Sequence, residues 1–91
     1  MGTKAHGSAP SPWELSELLI SEDLVGVPEV PVDLPLISSG LLASFDLMRL
    51  IVRIEERYGI SVAAADLLPE NFETCERITA MLERKAGGGR P

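Results

Sequence analysis

The segment from Leu36 to Gly59 decides the fold, and it reads LISSGLLASFDLMRLIVRIEERYG. From residue 44 onward its apolar residues recur with the period of an α-helix, which predicts a helix over residues 44–58 with Gly59 as its C-terminal stop. On a helical wheel, one arc about 100° wide holds the predicted core face. Its members are Leu47, Leu50, Ile51, Ile54 and Tyr58.

The same helix carries a second apolar stripe, formed by Phe45, Met48 and Val52, roughly 130° to 150° away from the core face. A surface helix needs only one apolar face. The second stripe is therefore either buried beneath another segment or exposed as a docking surface for a partner. Its charged neighbours fit the rim of a docking patch and fit a solvated helix face equally well. They are Arg49, Glu55 and Glu56.

A first helix is predicted to begin at Ser11, because a capping Ser, a Pro at the first helical position and Glu14 follow the order of a capping box. Leu15, Leu18 and Leu19 continue it with helical spacing, and it should fade near Leu24. Residues 25–43 contain three prolines and predict a long loop with apolar anchors. These anchors are Val30, Val32, Leu34, Leu36 and Ile37.

After the central helix, a short helical turn is predicted over residues 63–68, before Pro69. A last helix, capped by Thr74, should present Cys75 and other apolar residues on one face until Gly87. Trp13 is predicted to be a packing residue of the first helix. The fold class is therefore all-α, a four-helix bundle of three main helices and one short helix. The domain covers residues 11–86, between disordered tails at 1–10 and 87–91; residues 86–91 should hold no helix.

Composition restricts the function. A chain of 91 residues is one domain, and its net charge of −6 argues against binding to nucleic-acid phosphates and favours basic partners. The single cysteine and the single histidine, His6, exclude an internal disulfide and a zinc module. The chain shows neither a signal peptide nor a membrane-spanning run, so we expect it in the cytoplasm. Catalytic motifs are lacking, and we expect no metal and no enzymatic activity of its own.

Ser44 stands at the start of the central helix. The commonest role of a serine at this position is to cap the helix. Its hydroxyl would also point into solvent, at the positive end of the helix, where a phosphate is stabilised by backbone N–H groups. No neighbouring base activates it, so any covalent chemistry must come from another enzyme.

Four segments of the chain resemble, in order and spacing, the acyl carrier proteins and their aminoacyl and peptidyl relatives. They are residues 36–51, residues 54–60 (IEERYGI), Asp66-Leu67 and residues 69–74 (PENFET). The resemblance covers about residues 12–85. It implies a right-handed helical bundle with a 4′-phosphopantetheine arm attached to Ser44 through a phosphodiester. That arm would carry an acyl or aminoacyl thioester between enzymes.

The resemblance also assigns partner-docking roles to the stripe and its rim, which comprise Phe45, Asp46, Met48, Arg49, Val52, Glu55 and Glu56. The implied partners are a phosphopantetheinyl transferase, a loading enzyme (a ligase, an adenylation enzyme or an acyltransferase) and downstream synthase or tailoring enzymes. We expect a monomer that binds neither nucleic acid nor membrane. The alternative is an unmodified, carrier-like module for protein–protein interaction.

Three residues or groups depart from the family pattern. Ala43 stands where the family usually has Asp, which removes a capping group and a carboxylate that helps the transferase and its magnesium. The arginines at 49, 53 and 57 make the central helix less acidic than that of fatty-acid carriers. The turn Gly-Leu-Leu-Ala-Ser-Phe resembles that of discrete carriers of specialised or aminoacyl pathways more than the Gly-Gly-x-Ser turn of modular peptide synthetases. The arginines indicate dedicated partners rather than general fatty-acid synthase enzymes, and Ala43 predicts modification that is slow or absent.

Overall fold

The computed structural model describes residues 9–88, and within them the fold is all-α, without a strand. Three main helices are present: α1 (Pro12–Ser21), α2 (Ser44–Tyr58) and α3 (Cys75–Gly88). The short helical turn predicted over residues 63–68 is present as a 3₁₀ turn, Ala64–Asp66, and a second 3₁₀ turn that was not predicted follows at Pro69–Phe72. The all-α class with three main helices is therefore confirmed.

Helix α1 begins as predicted, with Ser11 and Glu14 forming a reciprocal capping box and Pro12 in the first turn. It ends at Ser21, three residues before the predicted fade near Leu24. Asp23 adopts a left-handed conformation (φ 58°), and the Leu24 N–H donates to the Leu19 carbonyl at 2.9 Å. This is the hydrogen-bond pattern of a Schellman stop, and burial of the Leu24 side chain completes it.

The core lies between α1, the inner face of α2, the second 3₁₀ turn and α3. Leu50, Ile51 and Ile54 of the predicted α2 core face are buried, whereas Leu47 and Tyr58 are partly buried. The long loop inserts Val30 and Leu36 into this core. The Ser16 hydroxyl donates to the Val30 carbonyl at 2.5 Å, which fixes the loop against α1.

Both predicted ends of the domain need correction. Pro10, assigned to a disordered tail, is fully buried, and Ala9 packs against the core. The prediction that residues 86–91 hold no helix is wrong for residues 86–88, because α3 continues to Gly88. The helix continues through these glycines although each costs about 1 kcal/mol relative to alanine. The remainder of the predicted tails, residues 1–8 and 89–91, lies outside the described residues.

Trp13 is also corrected. Its side chain is 62% exposed rather than packed, because it lies on the side of α1 opposite Leu15, Leu18 and Leu19. Cys75, in contrast, is fully buried as predicted, and burial raises the pKa of its thiol to about 11. A thiol in that environment is protonated at neutral pH and unreactive.

Candidate functional site

Ser44 is the first helical residue of α2, and its side chain is exposed. The capping position before it belongs to Ala43, whose backbone is extended and whose carbonyl accepts the first helical hydrogen bond, from Leu47 N–H at 2.8 Å. Ser44 is therefore not the cap of its own helix. A methyl group cannot accept a hydrogen bond, and no side chain in the described part of the chain caps this helix. The hydroxyl of Ser44 lies beside backbone N–H groups that are open to an external acceptor.

A tight turn over residues 36–42 precedes Ser44 and the start of α2. Gly40 adopts a positive φ of 82°, a conformation that suits glycine, and its N–H donates to the Ile37 carbonyl at 3.0 Å. The Leu42 N–H then donates to the Leu36 carbonyl at 2.9 Å. Leu36 and Leu42 are both buried, so the two ends of the turn are fixed in the core. The position of Ser44 is therefore set by the turn rather than by a helix cap.

A small, mainly apolar pocket of about 170 Å³ opens beside Ser44. One wall belongs to the turn and α2, and the other to the segment between the two 3₁₀ turns. The lining residues are Ile37, Leu42, Ser44, Leu47, Leu67, Leu68 and Pro69. The sequence did not predict this pocket; the available signal was the run Leu67-Leu68-Pro69, whose two leucines remain exposed. The pocket gives an apolar group attached near Ser44 a surface to contact.

The second stripe of α2 is exposed, which decides between the two alternatives left open by the sequence. Phe45 is 74% exposed, Met48 52% and Val52 46%. The long loop sends its apolar anchors into the core and leaves these three side chains uncovered. Aligned large apolar side chains in solvent are typical of an interaction surface. The predicted stripe is thus an accessible face next to Ser44.

The charged residues around this face are paired within the chain. Asp46 accepts a hydrogen bond from Arg49 at 3.0 Å, and Arg53 binds both Glu56 and Glu22 at 2.9 Å. Glu55 accepts the N–H of Val62 at 2.9 Å. The acidic residues hold the pKa of the Arg53 guanidinium above its usual value. A continuous basic ridge, which binding to nucleic acid would require, is therefore not formed by the α2 arginines at 49 and 53.

Arg49 has a further contact, since its guanidinium carbon lies 6.0 Å from the centre of the Phe45 ring. This distance is at the outer limit of a cation–π interaction. Arg49 also donates to the Glu22 carbonyl at 3.3 Å. The side chain thus connects the exposed face of α2 to the C-terminal end of α1.

Comparison with known families places residues 15–84 in the family described as "Phosphopantetheine attachment site". A comparison with curated proteins finds no match. Within residues 9–88, no helix combines the length and the apolar character needed to cross a membrane.

The residues at the start of α2 fit this cofactor. A phosphodiester needs a hydroxyl in solvent and favourable N–H donors, and both are available at Ser44. A domain of this family is a site for the covalent attachment of 4′-phosphopantetheine, the cofactor that the match assigns to this chain. The family match covers most of the sequence and agrees with the all-helical fold. The chain belongs to the phosphopantetheine-binding family of carrier proteins.

Proposed function

We propose that Ser44 is the attachment point of 4′-phosphopantetheine and that the chain is a discrete carrier of acyl or aminoacyl groups. The observation that carries this proposal is the exposed Ser44 hydroxyl at the uncapped start of α2, within a chain of the phosphopantetheine family. An attached phosphodiester is negatively charged there. The positive end of the helix and its free N–H groups stabilise that charge.

The attachment is a phosphoryl-group transfer from coenzyme A. The Ser44 oxygen forms a bond to the phosphorus that bears the pantetheine, and the P–O–P bond of coenzyme A breaks. The adenine-containing bisphosphate leaves, and the serine proton passes to a base. That base must come from the transferase, because Ser44 has no activating partner in its own sequence motif.

Once attached, the arm supplies a thiol on which an acyl or aminoacyl group is held as a thioester. The chain itself acts as substrate and partner of other enzymes, and carries out no catalytic step of its own. We place it in specialised biosynthesis of polyketide or nonribosomal peptide type. The arginines on α2 support this assignment, because they neutralise the acidic residues of a helix that is more acidic in fatty-acid carriers.

Partner enzymes would dock on the exposed face formed by Phe45, Met48 and Val52. Since Asp46 and Glu56 are ion-paired within the chain, apolar contact contributes more than charge to this docking. Surface ion pairs of this kind contribute only about 0–1 kcal/mol each. The partners are the transferase, a loading enzyme and downstream synthase or tailoring enzymes, each meeting a monomeric carrier.

The rival hypothesis is an unmodified, carrier-like interaction module. It rests on Ala43, which replaces the carboxylate that family transferases use. The exposed apolar face serves both hypotheses equally well, so mutations on that face do not separate them. Only the uptake of the cofactor does.

The test is the intact mass of the purified chain after incubation with coenzyme A, magnesium and a broad-specificity phosphopantetheinyl transferase. We expect a gain of one phosphopantetheine, abolished by Ser44→Ala. Ser61→Ala, which alters another exposed serine, is the matched control and should be modified like the wild type. No gain in wild type or in Ala43→Asp would overturn the carrier proposal and favour the rival module.

A further inference from the structure

Glu73 forms a two-point contact with Ser38, which lies 35 residues earlier in the chain. One carboxylate oxygen accepts the Ser38 backbone N–H at 3.0 Å, and the other accepts the Ser38 hydroxyl at 2.5 Å. Both oxygens of the carboxylate are thus engaged by one residue. These hydrogen bonds from Ser38, first from its hydroxyl and then from its backbone, hold the pKa of Glu73 below its usual value.

The backbone of Glu73 is a fixed point in the fold. It follows the second 3₁₀ turn, between Phe72 and Cys75, which are both fully buried. Its carbonyl accepts the Leu36 N–H at 2.6 Å, so it holds the first residue of the turn as well. Side chain and backbone together attach the turn over residues 36–42 to the start of α3.

This contact joins the two walls of the pocket beside Ser44. Ile37, the neighbour of Ser38, lies in the wall formed by the turn, whereas Leu68 and Pro69 lie in the wall that leads to Glu73. The turn over residues 36–42 also leads directly into α2, and no side chain among the described residues caps the start of that helix. The contact between Glu73 and Ser38 therefore helps to fix the turn that leads to Ser44, in addition to the burial of Leu36 and Leu42.

We infer that Glu73 is a positioning residue for the modification of Ser44, acting through Ser38 and the turn over residues 36–42. The inference rests on the proposed function of Ser44. Without the contact, the turn samples arrangements in which Ser44 does not fit the transferase. Only the competent fraction binds, so the apparent affinity falls in proportion to that fraction while the bound complex reacts at its normal rate.

The experiment measures KM and kcat for each carrier variant as a substrate of a broad-specificity phosphopantetheinyl transferase with coenzyme A and magnesium. Glu73→Ala should raise KM about three- to tenfold and leave kcat within about twofold. Glu73→Gln retains a carbonyl oxygen for the Ser38 N–H and should recover most of the wild-type KM. Glu70→Ala removes the same charge from an exposed residue of the neighbouring 3₁₀ turn and should match the wild type.

Two further readouts separate this contact from a general loss of structure. Amide hydrogen exchange at Ser38 should accelerate in Glu73→Ala, while the amides in the middle of α3 keep their protection. The double variant Ser38→Ala/Glu73→Ala should show no larger KM than Glu73→Ala alone, because the two residues act as a pair.

The outcomes are distinct. A wild-type protein that takes up no phosphopantetheine overturns the proposed function and this inference with it. A wild-type protein that is modified, with equal KM for Glu73→Ala and Glu70→Ala, overturns this inference alone and leaves Ser44 as the attachment point. A fall in kcat with unchanged KM also contradicts the positioning role.

Discussion

Helices α1 and α2 begin in opposite ways. At the start of α1, Ser11 accepts the Glu14 N–H at 3.2 Å while the Glu14 carboxylate accepts the Ser11 N–H at 2.6 Å. At the start of α2, Ala43 offers no acceptor and Ser44 stands exposed one position later. Side chains of the protein itself cap the backbone N–H groups at the start of α1, whereas no side chain within residues 9–88 caps those at the start of α2, which are open to an external group. The open end is the one at which we place the function.

The two helices also differ in what surrounds their exposed apolar side chains. Helix α1 exposes Trp13 and Ile20, and α2 exposes three aligned residues on the helix that begins at Ser44. Exposure alone therefore does not identify a docking face. What distinguishes the face of α2 is its continuity with the residue that we expect to be modified.

Exchanging one apolar residue for glutamate on each helix tests this difference and should have the largest effect. Val52→Glu should raise the transferase KM at least about tenfold, equivalent to about 1.4 kcal/mol, because a charge would be buried against the partner. Ile20→Glu should change KM less than about twofold, since it lies on the other helix. Ile20 and Val52 are both partly exposed, so both variants should fold, as circular dichroism can verify. Equal effects on KM would contradict the assignment of the docking face.

Removing the serine at each helix start compares their structural roles. Ser11→Ala should lower the free energy of unfolding by about 1 kcal/mol, because the capping hydrogen bond to Glu14 N–H is lost. Ser44→Ala should change it by less than about 0.5 kcal/mol, as expected for an exposed residue that does not cap its helix. Urea denaturation measures both. A large loss of stability in Ser44→Ala would mean that its role is structural.

Adding a cap to α2 should make the two helix starts alike. Ala43→Asp and Ala43→Asn should each raise the free energy of unfolding of the unmodified protein by about 0.5–1 kcal/mol. Only Ala43→Asp should also speed modification, since it alone supplies a carboxylate. If Asn speeds modification as much as Asp, the ordering of the helix start, rather than the carboxylate, limits the rate. An unchanged rate in both variants would mean that position 43 is not limiting.

Acid should weaken the contact that positions the start of α2. The pKa of Glu73 is lower in the folded state than its ordinary value of 4.5, so its stabilising effect is present above that value. The effect is lost as pH falls through the lower, folded-state pKa. Glu73→Gln should therefore show a smaller decrease in urea midpoint than the wild type below about pH 4.5. Identical pH profiles would show that Glu73 does not couple protonation to folding. Because the side chain is solvent-accessible, this is the smallest effect that we predict.

Local signals in the sequence were sufficient to predict the helices. The capping box at Ser11, the glycine stop at Gly59 and the cap at Thr74, which accepts the Arg77 N–H at 3.0 Å, are all as predicted. Each involves residues close together in the chain, where spacing alone carries the information. Residue type alone did not predict the exposure of Trp13. Its side chain is apolar, but it lies on the side of α1 that faces away from the core.

The parts of the site that the sequence did not predict depend on distant residues. The contact between Ser38 and Glu73 spans 35 positions, and the pocket brings Ile37 next to Leu68. Such pairs have no period or local motif. The sequence predicted the second apolar stripe, but its exposure depended on the path of the long loop, which the prolines left undetermined.

Locating the added mass on the chain tests directly whether Ser44 is the attachment point. After incubation with coenzyme A, magnesium and the transferase, fragmentation of the intact chain determines which serine carries the phosphopantetheine. We predict that it is found on Ser44, at the open helix start, and never on Ser11, at the capped one. Attachment to any other residue, or no attachment even in Ala43→Asp, would contradict it.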